Sequence, residues 1–172
     1  MLITITDNGK KKTSQLLAEC KELSSVYCYL SDEQLDKDFP PKKTKFTYEM
    51  TQEPDEKWAN KSWNDLQKID VHFMELRERL IFQKEYKKKT GNFPDQKYIT
   101  LCNSRDSDGN VPRCDWDDGK FWVLWRSPDC CDDDLRSRSA VSSSSLTPSD
   151  TLEVRVENLE KQMSDLRKFL IF

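Results

Sequence analysis

The chain opens on Met1-Leu2-Ile3-Thr4-Ile5-Thr6, where apolar and polar positions alternate, and this pattern predicts a strand. Asp7-Asn8-Gly9 predicts a turn. From Thr13, placed as a cap, Leu16, Leu17, Cys20 and Leu23 fall near helical spacing and predict a helix. Val26-Tyr27-Cys28-Tyr29-Leu30 predicts a buried strand, and Asp38-Phe39-Pro40-Pro41 a break. Residues 45–50 alternate with period two and predict a half-buried strand. The simplest assembly of these pieces is a small β-α-β-β unit.

Residues 62–89 predict one long amphipathic helix. Ser62 is placed to cap it and Gly91 to end it in a left-handed conformation. Leu66, Ile69, Phe73, Leu76 and Leu80 are spaced 3, 4, 3, 4, and Trp63, Met74 and Ile81 widen that stripe. Packing on the sheet of its own domain is the expected use of the stripe, with a helix-helix seam between chains as the alternative. Residues 97–126 predict a three-stranded antiparallel meander. Its strands are 98–101, then 111–116, which Pro112 limits to an edge or a strand start, then 121–125. Asp117-Asp118-Gly119 is a strong hairpin signal between the last two. The continuous run Phe121-Trp122-Val123-Leu124-Trp125 predicts burial on both faces or one face presented to a partner, which makes Trp122 and Trp125 candidate contact residues.

The pattern then changes. Residues 129–146 hold Asp132, Asp133 and Asp134, two arginines and the run Ser142 to Ser145, with almost nothing to bury, and predict a flexible acidic, Ser-rich linker. Thr147-Pro148-Ser149-Asp150 is a helix start on several agreeing signals. Beyond it Leu152, Val156, Leu159, Met163, Leu166 and Leu170 are spaced 4, 3, 4, 3, 4, a heptad seam over nearly three heptads. Leu152, Leu159 and Leu166 take the d positions, Val156, Met163 and Leu170 the a positions. Arg155 falls at g and Glu160 at e, where they pair between parallel chains. Arg155-Val156-Glu157-Asn158-Leu159-Glu160 resembles the Arg-h-x-x-h-Glu trimerisation motif of short parallel coiled coils. The resemblance covers six residues and implies a three-stranded parallel bundle with Arg155 reaching a neighbour's Glu160. Val at a and Leu at d lean instead toward two strands. A lone helix of about 22 residues is too weakly stable to leave so regular a stripe exposed, so the seam needs a partner.

Composition adjusts this picture at few points. In 172 residues, 35% are hydrophobic and 34% charged, a polar balance for a globular chain. Five Trp, five Tyr and eight Phe nevertheless exclude a disordered chain, because each can bury on the order of 150–250 Å². Lys plus Arg is 28 against 31 for Asp plus Glu, a formal charge of -3, which argues against bulk nucleic-acid binding. No stretch approaches about 18 apolar residues, and the first twelve residues are too short and polar for a signal peptide. A soluble, cytoplasmic or cytoplasm-assembled protein with no membrane partner is expected.

Candidate chemistry is sparse. Of Cys20, Cys28, Cys102, Cys114, Cys130 and Cys131, none forms a C-x2-C pair. Cys102, Cys114 and Cys130 or Cys131 would meet at a zinc only if the meander folded back, and reduced thiols are the expectation. Asp106, Asp108 and Asn110 around Gly109 suggest an oxygen-rich calcium loop, but the EF-hand spacing is not met and a hairpin turn explains them equally. Arg77, Arg79, Lys84, Lys87, Lys88 and Lys89 form a basic helix end, read either as a solvated face or as a contact for nucleic acid or an acidic partner. The single His, His72, lies beside the apolar stripe and reads as structural. Asp115 and Asp117 share a strand face but nothing places them in a pocket. Nucleophile-elbow, phosphate-loop and zinc-protease motifs are missing.

The expected fold is α+β: a small mixed head over 1–128 built on a long amphipathic helix and a three-stranded antiparallel meander, a linker over 129–146, and a parallel coiled-coil oligomerisation helix over 147–172. The expected function is non-enzymatic and needs neither cofactor nor metal. Copies self-associate through 148–170, as a trimer before a dimer, and the head meets other subunits of an assembly. A virus or phage-particle component (decoration, fibre-associated or adaptor subunit) fits that layout by analogy. The alternative is a dimeric nucleic-acid-binding regulator using 77–89.

Overall fold

The computed structural model describes residues 1–141. The heptad seam Leu152 to Leu170, with Arg155 and Glu160, lies outside the described residues, as do the serines 142–145. Met1–Ala140 forms one compact unit.

Strand β1 (Leu2–Asn8) alternates as its sequence demands, with Ile3, Ile5 and Asp7 turned inward. Helix α1 (Thr13–Lys21) buries Leu16, Leu17 and Cys20. Strand β2 (Ser25–Cys28) follows, then helix α2 (Asp32–Asp38), capped by Ser31, whose hydroxyl accepts from the Gln34 amide. Strand β3 is Lys43–Glu49, and after a 3-10 turn at Glu56–Trp58 comes the single-turn helix α3 (Trp63–Leu66). Helix α4 (Leu76–Thr90) ends at Gly91, whose φ of 77° only glycine adopts freely. Strands β4 (Ile99–Leu101), β5 (Val111–Asp117), β6 (Lys120–Arg126) and β7 (Leu135–Arg136) complete the unit.

The result is an α+β fold with two sheets. β1 and β3 pair antiparallel from Leu2 opposite Glu49 to Asn8 opposite Lys43. The other sheet is five-stranded and mixed, in the order β2-β6-β5-β4-β7. Its centre is antiparallel, with β5 and β6 joined through Asp118 and Gly119, both at positive φ. Its two edges are parallel: β2 runs with β6 and β7 with β4. This corrects the expected sheet: the three-stranded antiparallel meander β4-β5-β6 is only the centre of a five-stranded mixed sheet. Val26 to Cys28 leave the expected β-α-β-β unit and join the meander's last strand instead.

The expected single helix over 62–89 is also overturned. It is two helices, and the backbone between them is extended where it meets another strand. Phe73 bridges Ser139, Met74 N–H donates to Arg138 C=O at 2.8 Å, and Ala140 N–H donates to His72 C=O at 2.8 Å. The apolar stripe that implied one helix is therefore divided between clusters: Leu76 and Leu80 pack with α1 and the large sheet, Met74 with β1 and β3, and Leu66, Ile69 and Phe73 under β4 and β7.

The partner strand in that bridge is the second half of the expected linker. Residues 129–141 are not a tether: Leu135, Ser137 and Arg138 are buried and Leu135–Arg136 is a strand. Leu135 enters the core under the 58–73 segment, and polar groups hold the rest. Arg138 Nη2 donates to Asp95 Oδ1 at 2.5 Å, its guanidinium also reaches the carbonyls of Thr51 and Gln52, and Ser137 Oγ donates to Leu101 C=O. Asp95 faces a second buried guanidinium, with Arg79 Nε at 2.9 Å, and takes the Thr100 hydroxyl at 2.6 Å.

Helix α4 lies between the two sheets, and its consecutive residues Arg77, Glu78 and Arg79 are all buried. Successive residues on a helix turn by about 100°, so each of the three must find its own partner. Arg77 binds Asp7 at 2.6 Å, the Thr13 hydroxyl and the Lys11 carbonyl. Glu78 accepts from the Tyr48 hydroxyl at 2.7 Å and the Glu75 amide at 2.9 Å, and faces His72 Nε2 at 2.9 Å. Arg79 binds Asp95.

Two predictions follow from these charges. Asp95→Asn keeps the shape but leaves two buried guanidinium groups without a counter-charge, and should cost about 3–5 kcal/mol in urea unfolding; a loss below about 1 kcal/mol would contradict the clamp. Burial pushes the Asp95 carboxyl up, but the charges of Arg79 and Arg138 outweigh it and hold the group below the usual carboxylate range. At Glu78 burial likewise opposes, and His72 and the Glu75 amide prevail, so its pKa is also lowered. Groups with depressed folded-state pKa stabilise above their unfolded values. The urea midpoint should thus hold steady above about pH 5 as far as these groups decide it, and fall progressively below about pH 4.

Candidate interaction surface

Strand β6 puts Phe121 and Val123 on one face of the large sheet and Lys120, Trp122, Leu124 and Arg126 on the other. The first face packs under α1 and α4 with Cys114 and Leu80, and both β6 residues are fully buried. The second face is roofed only over β4 and β7, where Trp58, Trp63, Leu66, Ile69 and Val71 cover Ile99, Leu101, Val111 and Leu135. Over β2 and β6 it stays open.

The open part is aromatic. Register sets Tyr27, Trp122 and Asp115 in one row across β2, β6 and β5. The Tyr27 and Trp122 rings lie 5.3 Å apart at 49°, and Tyr27 is 47% exposed. Lys120 Nζ stands 4.7 Å from the Trp122 ring centre, a cation–π contact, and Trp122 Nε1 donates to the Asp117 carbonyl at 3.3 Å. Beside them Arg113 Nη1 donates to Asp115 Oδ1 at 2.7 Å. Burial raises the Asp115 carboxyl above its ordinary range despite that arginine. Asp115 and Asp117 share this face as their spacing implies, but Asp115 is engaged by Arg113.

The residues expected to bind a partner do not form one patch. Trp122 and Trp125 are three apart on an unbroken strand and so lie on opposite faces; Trp125, at the strand end, is 49% exposed. Arg77 and Arg79 are inside the protein, 4% and 0% exposed, so the basic helix end loses its two arginines. Lys84 Nζ is bound to Glu19 at 2.6 Å, which raises its pKa. Lys87 Nζ donates to the Gly91 carbonyl and lies 4.3 Å from the Phe93 ring centre. Lys88 and Lys89 lie in the last turn of α4. Lys84 and Lys89 line a cleft of about 280 Å³ with Asp7 and Glu85, a mixture of charges rather than a basic groove.

The other candidate chemistries resolve similarly. Cys102 and Cys114 belong to the cluster under α1 and α4, whereas Cys130 packs against the opposite cluster and Cys131 is exposed, so the thiols that a zinc would need are separated. Among the described residues no group of three or more His, Cys, Asp or Glu is placed to hold a metal ion. Asp106 organises a turn: its Oδ1 accepts from the amides of Asp108 and Asn110, and its Oδ2 from the Tyr29 hydroxyl at 2.7 Å. His72 stacks on Phe46 with ring centres 3.5 Å apart. No helix among the described residues is long and apolar enough to cross a membrane.

Comparison with protein-family models, with curated proteins and with solved structures finds no match. The surface must therefore be read from its own chemistry. Tyr27 is the residue that sequence reasoning missed. The run 26–30 is apolar or aromatic throughout, so it does not single out an exposed side, and nothing local says that this strand pairs with β6.

Tyr27→Ala should change stability by less than about 1 kcal/mol, since the ring is half exposed. Phe121→Ala, from the covered face of the adjacent strand, should cost about 3–5 kcal/mol. Chemical denaturation of the two variants compares them directly, and equal costs would mean that the Tyr27 face is not open.

Proposed function

We propose that this chain is a non-enzymatic assembly protein. Copies associate, as a trimer, through the heptad-spaced residues of 148–170, and the open face around Tyr27 and Trp122 meets another protein subunit. The observation that carries the reading is the uninterrupted seam Leu152, Val156, Leu159, Met163, Leu166 and Leu170 on a chain whose remainder is a compact unit. Linking weak contacts in this way multiplies them by avidity.

The character of the open face supports a protein partner over a nucleic acid. Lys120, Arg113 and Arg126 are set among Asp115, Asp117, Asp118 and Asp132, and two of the cations are already paired with acids. A polyanion would gain little there. Tyr and Trp with arginine at the margin are what protein interfaces favour. On this reading the setting is a repetitive assembly such as a virus or phage particle, built in the cytoplasm, with this chain as a decoration, fibre-associated or adaptor subunit.

Light scattering tests it. The full chain should have a mass near three times 20.3 kDa. A chain ending at Val141, which keeps Arg138 and its clamp, should be monomeric. Leu159→Asp should dissociate the full chain while leaving the circular dichroism and unfolding of the head unchanged. A monomeric full-length protein would overturn the self-association, and a dimer would overturn the trimer.

A further inference from the structure

We propose that Cys102 and Cys114 are a latent disulfide, a covalent modification site that joins β4 to β5 inside the core. Their Sγ atoms lie 3.8 Å apart and both residues are fully buried. Thr100 stands opposite Cys114 in the ladder, and Cys102 N–H donates to Pro112 C=O at 2.9 Å, so the pairing continues one residue beyond β4. Cys102 and Cys114 are thus diagonal neighbours on the same face of the sheet. The twist of a strand pair shortens one of its two diagonals, and the sulfur contact marks this one as the short diagonal.

A disulfide requires the sulfurs to close to about 2.05 Å. Rotation about the two Cα–Cβ bonds and a small shift of β4, a strand of three residues at its junction with a turn, supply that approach. The neighbouring thiols are not placed to compete. Cys28 is in register with Val123, and Val123 with Cys114, so Cys28 stands two strand spacings away, roughly 10 Å. Cys20 donates its S–H to the Leu80 carbonyl at 3.4 Å. The bond would close the loop 103–113, which already touches the start of α4 through Leu76 N–H to Ser104 Oγ and Asn103 N–H to Met74 C=O.

The oxidant is a small-molecule disulfide such as oxidised glutathione. One cysteine thiolate attacks it, forming a mixed disulfide and releasing one glutathione. The second cysteine attacks the protein sulfur of that mixed disulfide and releases the other glutathione. The protein loses two electrons and two protons, and the small disulfide is reduced to two thiols. Burial pushes the Cys114 thiol up and keeps it protonated in the native state. Closure therefore belongs to folding, or to transient opening, in an oxidising medium; in a reducing cytosol the pair stays as two thiols.

The full chain, reduced and unfolded in urea, is refolded by dilution into mixed oxidised and reduced glutathione, then alkylated, digested and mapped by mass spectrometry. The expected product carries a Cys102–Cys114 linked peptide with Cys20, Cys28, Cys130 and Cys131 alkylated. It should melt several degrees above the reduced protein and return to the lower value with reductant. Cys114→Ser should lose both the linked peptide and the shift; should that variant not fold, Cys102→Ala serves instead, and the wild-type map decides alone. Alkylation of both Cys102 and Cys114, their linkage to other cysteines, or a linked product that melts lower would each overturn the proposal.

Discussion

Asp95 is held from five directions, and the fold depends on it. Its backbone takes a positive φ of 60°, its N–H donates to the Gln52 carbonyl after β3, and its carbonyl accepts from Trp116 in β5. Its carboxylate binds Arg79 of α4, Thr100 of β4 and Arg138 of the segment after β7. Helix α4, strand β4 and the segment after β7 therefore each contribute a group to one buried carboxylate. Two guanidinium groups share that single negative charge, which leaves a buried excess of one positive charge. It is spread over acceptors and π faces: Gln83 Oε1 and the carbonyls of Thr51 and Gln52, with Arg138 over Phe82 at 4.6 Å and Arg79 over Phe121 at 5.1 Å. A buried ion cluster is weak evidence for net stability, because desolvation opposes it, but removing one member leaves a bare charge. The clamp thus acts chiefly as a specificity device. Only the arrangement in which all three elements meet gives both guanidinium groups their counter-charge.

The other buried charges on α4 follow the same logic. The first turns of α4, Leu76 to Leu80, are buried all round, and their polar residues must be matched as they are buried. Asp7 at an inward position of β1 looks misplaced in a strand pattern until Arg77 is seen across from it. His72, the single histidine, is engaged by Glu78 and by the face of Phe46. The charges of the core are therefore largely accounted for by architecture, and the recognisable surface chemistry is left to the uncovered half of the large sheet.

That uncovered half bears on assembly. Sheet faces are covered when there is enough chain to cover them; here the 58–73 segment roofs β4 and β7 and extends no further. Tyr27 and Trp122 stay at the surface beside paired charges of both signs. A face of that kind gains from apolar contact with a partner and discriminates through its charges, and it has little to offer a polyanion. On the proposed reading, self-association through 148–170 would multiply such a face and turn a modest contact into a stable attachment.

What the sequence alone determined is whatever rests on neighbours along the chain. The alternation in β1, the Asp118–Gly119 turn and the glycine stop at Gly91 are set by periodicity and by local backbone chemistry, and all were legible. Ser31-Asp32-Glu33-Gln34 is likewise a local helix start, with Ser31 capping α2. The heptad spacing of 152–170 is equally a property of the sequence. Tertiary structure decided the rest. Arg77 is buried by Asp7 and Thr13, far away in the sequence, whereas the break of 62–89 into α3 and α4, the ordering of 129–141 and the burial of Arg79 go together. The backbone of 72–74 pairs with 138–140, and Arg138 reaches Asp95 across 43 residues. Such partners leave no periodic trace, because hydrogen bonds and ion pairs formed at long range impose residue types only at the points of contact. The membership of β2 in the large sheet, and with it the juxtaposition of Tyr27 and Trp122, is decided in the same way: a parallel edge strand is chosen by what it packs against, which no local pattern encodes.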